Sequence, residues 1–192
     1  MSRPSRVVLA SVVAAAALGC AGPVPDITPL ASAARQGDAR IIAAMVAAGQ
    51  DPNGVDPGGN QWTPLLHAIH KGRRPAVDAL LAAGADVHKK SGGLSPLMMA
   101  VGNGRADLVR RLLAVGADPR ADGPGIFPVA VAGGAMTDIE NPLLGRCNVD
   151  VVKALLDRDP SLRVPRNARG HLSLLFARLN NCEEVLRLAR LG

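Results

Sequence analysis

The sequence predicts an all-α solenoid of about five stacked helix-turn-helix units, on three observations. Thr63-Pro64-Leu65 returns as Ser95-Pro96-Leu97 32 residues later and as Thr28-Pro29-Leu30 35 residues earlier. Gly84-Ala85-Asp86-Val87 returns at the same two offsets, as Gly116-Ala117-Asp118-Pro119 and Gly49-Gln50-Asp51-Pro52. Between these landmarks each unit carries two short apolar runs separated by Gly37, Gly72 or Gly104. A unit this short cannot bury its own apolar face, so its stability comes from stacking on its neighbours, and at least three units are needed.

Each landmark has a physical role. The Thr or Ser caps orphan amides at a helix start, and the Pro after it takes the first helical position, where a missing N–H is harmless. Ala and Leu follow because the helices approach closely. The glycine that ends each helix is expected in the left-handed conformation, which only Gly adopts cheaply. A period near 33 with this internal order resembles the ankyrin repeat, a turn followed by two antiparallel helices. The resemblance covers about residues 26–192 and is carried by the first three units.

The first 20 residues read as an export leader outside the fold. Arg3 and Arg6 form a positive start, Val7 to Leu18 an apolar run of 12, and Gly19-Cys20 a small-residue cleavage site. Such a run is too short to span a bilayer comfortably. Ala17-Leu18-Gly19-Cys20 resembles a bacterial lipobox, with Ala17 where Leu is usual; this implies acylation of Cys20, with ordinary signal cleavage as the alternative. In lipoprotein sorting, Ala21 after the cysteine implies the periplasmic side of the outer membrane. The alternative is a soluble periplasmic protein. Residues 21–25 form a spacer.

Repeat one covers about residues 26–59, with Leu30, Ala33, Ala34, Ile41, Ile42, Met45 and Val46 expected inside. Val55 to Gly59 lengthens the turn that follows it. Repeat two is 60–93, and repeat three, 94–123, buries Leu97, Leu108, Val109, Leu112 and Leu113. Repeat four, 124–166, pairs Phe127 to Ala132 with Val149 to Leu156. Between Ala132 and Leu155 it carries eleven residues more than repeat three has between Ala100 and Leu112, an insertion placed at 133–147 with Gly133-Gly134 and Asn141-Pro142 as loop signals. Repeat five, 167–192, aligns by Leu172 to Ala177 and Glu184 to Leu188, lacks both landmarks, and is expected to be a C-terminal cap.

Composition narrows the function. Apolar residues make up 48% of the chain, but there is no Tyr, one Trp and two Phe, which argues against aromatic cages and base-stacking surfaces. The formal charge of +6 falls by two when Arg3 and Arg6 leave with the leader, and the remaining charges are dispersed. That pattern disfavours nucleic acid as a partner. His67 and His70 share a helix face, with His88 in the next turn, but no further ligand completes a metal site. The resemblance implies a hydrogen-bonding role for His67. No nucleophile elbow, paired-carboxylate motif or phosphate loop appears, so neither an enzyme nor a cofactor is expected.

Cys147 and Cys182 would meet an oxidising compartment. Cys147 aligns with the inter-helix glycine of repeat four, and Cys182 lies one residue past that position in repeat five. Regular stacking is expected to leave them roughly 10 Å apart, beyond disulfide reach unless the insertion closes the gap. A disulfide between them is expected, with two independent buried thiols as the alternative.

The resemblance implies protein binding on the concave side, through turn tips and the exposed ends of first helices. The turn position before each helix holds Ile27, Trp62, Leu94, Ile126 and His171, and the helix ends hold Arg35, Gln36, His70, Lys71, Gly102 and Asn103. Trp is the residue type most enriched in binding hot spots. Trp62 is expected to anchor the partner, the alternative being that it packs on the adjacent turn. The reading is a monomeric, non-catalytic scaffold for an unidentified protein in the cell envelope, touching the membrane through its lipid anchor alone. An immunity or inhibitory protein facing a periplasmic toxin or enzyme is the more specific form, and a structural envelope protein a further alternative.

Overall fold

The computed structural model describes residues 27–58, 60–121, 130 and 147–191. Cys20, Ile126, the first run of repeat four except for Ala130, and the insertion except for Cys147 lie outside these residues. The described chain forms α1 (Pro29–Gln36), α2 (Ala39–Ala47), α3 (Pro64–His70), α4 (Arg74–Ala82), α5 (Pro96–Gly102), α6 (Ala106–Ala114), α7 (Val149–Arg158), α8 (Ala168–Leu179) and α9 (Glu183–Leu191). First helices pack on first helices, α1 on α3 and α3 on α5; second helices pack on second helices, α2 on α4, α6 on α7 and α7 on α9. The result is an ankyrin-type helical solenoid with one continuous apolar core from Leu30 to Ala189.

The sequence landmarks act locally. Thr28, Thr63 and Ser95 accept hydrogen bonds from the amides of Ala31, Leu66 and Met98 at 3.2, 3.3 and 3.0 Å, and a proline follows each cap. The Asp of each Gly-x-Asp landmark folds its own turn: Asp51, Asp86 and Asp118 accept from the amide two residues on, at 2.8 Å in all three. Asp159 repeats the bond to Ser161 at 3.0 Å, so repeat four keeps this turn although its landmark is lost.

Neighbouring repeats meet through a contact that recurs along one edge. Gly37, at φ +92°, ends α1, and the stem of Arg73 from the next repeat lies 3.1 Å from where a Cβ of Gly37 would stand. Arg105 covers Gly72 in the same way and Asn148 covers Gly104. Arg73 also donates from Nε to the Arg35 carbonyl at 3.1 Å, satisfying an acceptor that the helix end leaves orphaned. The fourth step of this ladder is Cys147 with Cys182. The two are joined as a disulfide with Cα atoms 5.3 Å apart. The expected separation of roughly 10 Å described residues at equal positions of parallel helices. Cys182 stands one position further along, where the side chain of each following repeat already lies over its predecessor's turn, so no closing loop is required.

Two other expectations change. Ile41 is 36% exposed, and Met45 and Val46 are partly buried, because α2 has no helix pair before it among the described residues. In repeat five, Asn167 caps the chain by accepting from Gly170 N at 3.0 Å, so α8 begins at Ala168 and His171 lies within its first turn instead of in the preceding loop. On α8, Leu172, Leu175 and Leu179 are 50, 47 and 64% exposed.

Candidate protein-binding face

The turns and first-helix ends of the first two repeats are organised around a carboxylate that repeat periodicity does not mark. Asp56 sits in the extended turn after repeat one and is buried. Its Oδ1 accepts from Thr28 N at 2.8 Å, and its Oδ2 lies 2.5 Å from His67 Nε2. Asp56 N donates to the Trp62 carbonyl at 3.0 Å. One residue thus holds the start of α1 and the face of α3 through its carboxylate, and the turn that carries Trp62 through its backbone amide. His67 is committed to this bond, and among the described residues no three metal-ligating side chains converge.

Trp62 is half-buried and packs on its neighbours. Its indole meets the His67 ring edge-on at 5.3 Å between centroids and the His70 ring at 5.2 Å with a 57° tilt. On its other side lies the tip of the next turn. Ser91 and Leu94 exchange backbone hydrogen bonds at 3.0 and 3.1 Å across Gly92-Gly93, whose φ values are both positive, the pattern of a two-residue hairpin. A Cβ on Gly92 would stand 2.9 Å from the indole and 2.5 Å from the Asn60 carbonyl. Ser91 Oγ donates to the Gln61 carbonyl, tying the two turns together.

The other expected residues distribute unevenly. Ile27 and Leu94 are half-buried, Leu94 against the core. At the helix ends, Gln36 and Lys71 are exposed, Arg35, His70 and Asn103 half-buried, and Gly102 buried. Ile27, Arg35, Gln36, Trp62, His70, Lys71, Leu94 and Asn103 therefore lie at turn tips and first-helix ends of the first three repeats, while His171 belongs to the exposed side of α8. The apolar stripe is shallower than expected because each turn leans on the next. Asn53 bridges turns by donating to the Gly84 carbonyl at 3.0 Å and accepting from Asp86 N at 2.7 Å.

Perturbed carboxyls sit away from this face. Arg111, with Arg74, holds Asp78 below its ordinary value on the second helices; Arg120 holds Asp159 well below the usual carboxylate range in the last turn. Arg187, assisted by Lys153, lowers Glu184 to about 2. All three are explained by ion pairs between or within repeats.

Residues 26–122 match the family described as Ankyrin repeats (3 copies), more than half of the chain. The chain belongs to the ankyrin-repeat family. No match to a curated protein was found. Ankyrin repeats are in general modules of protein–protein interaction, and proteins built from them are typically non-catalytic binding scaffolds. In this ankyrin-repeat chain, the matched residues are the three repeats that carry Asp56, Trp62, His70 and Lys71.

Proposed function

We propose that the protein is a non-catalytic scaffold of the bacterial cell envelope that captures a partner protein on the concave face of its first three repeats. The carrying observation is the indole of Trp62, half-exposed and fixed between His70 and the Gly92 turn. An aromatic ring held in place before binding loses little conformational freedom on contact. Ile27 and Leu94 extend the apolar surface on either side, and Arg35, Gln36, His70, Lys71 and Asn103 supply the polar edge; Ile126 belongs to the same proposed row. The leader with acylated Cys20 supports a position on the periplasmic side of the outer membrane, and a soluble periplasmic protein is the alternative. A partner that is itself a toxin or an enzyme, held inactive by occlusion, is the specific form of this reading.

The test is capture from envelope extract with wild type and variants side by side. Truncation at a hot spot costs about 2 kcal/mol or more, so Trp62→Ala is expected to weaken retention of the captured protein on the order of 30-fold. Lys71→Ala is expected to weaken it less, with the effect shrinking as salt is added. Because the indole also packs within the protein, the melting temperature is read in parallel. A large fall in melting temperature with unchanged retention would return Trp62 to a purely structural role.

A further inference from the structure

We propose that copies of this chain stack head to tail, repeat five of one copy receiving repeat one of the next. The argument rests on what each repeat offers its neighbours. Ala31 in repeat one and Leu66, its equivalent 35 residues on, are fully buried although α1 has no described helix pair before it. This position therefore faces the following repeat. In repeat five, Leu175 stands two residues before the buried Ala177, as Leu66 stands before Ala68, and it is 47% exposed. Leu172 lies one helical turn before it on α8; on α9 Val185 is buried against α7, while Leu186, whose equivalents Ile42 and Val77 are fully buried, is only partly covered. Repeat five thus presents the kind of surface that repeats one and two bury under the next helix pair.

The complementary surface is at the other end. Ile41 is 36% exposed, whereas its equivalents Ala76 and Leu108 are fully buried. Met45 is partly buried, whereas Leu80 and Leu112 are fully buried. These second-helix positions face the preceding repeat, and in repeat one no described element fills that side. The two open faces differ from each other, and each matches a face that is buried inside the stack. A second copy supplies the matching partner for both. Terminal repeats usually carry a polar outer face that prevents such contact; here Ile41 and Met45 at one end and Leu172 and Leu175 at the other are apolar. Because the contact is heterologous, it leaves each assembly with free ends and permits growth beyond a dimer. This departs from the monomer expected from the sequence.

Complementary half-site variants of the protein as the cell makes it test the geometry. Ile41→Glu spoils the leading face and Leu175→Glu the trailing face; Leu172→Glu, 50% exposed one turn before Leu175, is a second variant of the trailing face. Sedimentation at increasing concentration is expected to show wild type growing past the dimer. Each variant is expected to remain monomeric where wild type is assembled, with a circular dichroism melt close to wild type. An equimolar mixture of Ile41→Glu with either trailing-face variant is expected to form a one-to-one dimer and nothing larger. Wild type that stays monomeric across the range overturns the proposal. So does Ile41→Glu that still dimerises alone, which indicates tail-to-tail pairing, or association insensitive to all the variants, which places the contact in the leader or elsewhere.

Discussion

Asp56 illustrates how much one side chain decides. Its carboxylate satisfies Thr28 N and His67 together, so removing it strands two polar groups in a buried site. Asp56→Ala is expected to lower stability by about 2–4 kcal/mol in denaturant titration, since an orphaned buried group costs about 1–3 kcal/mol and a charged one more. Repeat one should loosen first, because Thr28 loses its tie to the extended turn. Glu184 gives a pH-dependent counterpart. Its carboxyl ordinarily titrates at 4.5 and is held down to about 2 by Arg187, with Lys153 of α7 a further partner at 3.5 Å. A depressed carboxyl stabilises the fold above its unfolded value, and that contribution disappears as pH falls through the folded one. Glu184→Gln should therefore melt slightly below wild type at neutral pH, and the gap should close as pH is lowered from 4.5 to about 2. The effect is small because the pair is exposed to solvent. A gap that widens in acid would refute the assignment.

At the scale of the element, the turns determine how closely the repeats approach. Gly49 and Gly92 both have positive φ, but a Cβ on Gly49 would meet nothing within 4 Å, whereas one on Gly92 would strike the Asn60 carbonyl and the Trp62 indole. Gly49→Ala is expected to cost about 1–2 kcal/mol, the backbone penalty alone. Gly92→Ala should cost more and shift the fluorescence of Trp62, which Gly49→Ala should leave unchanged. Equal losses for the two variants would mean that the hairpin tip yields easily and does not fix the indole. The ladder of Arg73 on Gly37, Arg105 on Gly72 and Asn148 on Gly104 belongs to the same scale. It accounts for arginine at two helix starts where a capping Ser or Asp is usual: these side chains make no local cap and reach instead to the preceding repeat.

At the scale of the molecule, stability should divide between the regular front of the stack and its irregular rear. Cys147 and Cys182 close a 35-residue span, for which chain entropy assigns about 3–4 kcal/mol. Reduction is expected to lower the unfolding midpoint of repeats four and five while leaving the first three repeats near their oxidised midpoint, separating one transition into two. Hydrogen exchange followed with and without reductant reads this directly. Uniform loss of protection along the chain would show that the stack unfolds as one unit. Counting free thiols on the oxidised, denatured protein provides the companion measurement: two from these positions would exclude the bridge.

The sequence by itself determined the elements of the first three repeats. Caps, helix-ending glycines and the Gly-x-Asp turns act over a few residues, so Thr63, Gly72 and Asp86 declare their roles wherever the chain goes. It also placed Trp62 in the turn before a first helix and Lys71 at that helix's end, because repeat register converts one position into an equivalent one. Tertiary structure decided the rest. Asp56 carries no periodic signal, since its partners are 28 residues upstream and 11 downstream and only the fold brings them together. The burial of Trp62 depended on how far one turn leans on the next, which spacing does not encode. Asn167 moved the start of α8, and His171 with it, because a single capping side chain outweighed a degenerate repeat pattern. The exposure of Leu172 and Leu175 is likewise a property of position in the stack: an apolar residue reads alike in any repeat, and only a neighbouring helix pair decides whether it meets protein or water.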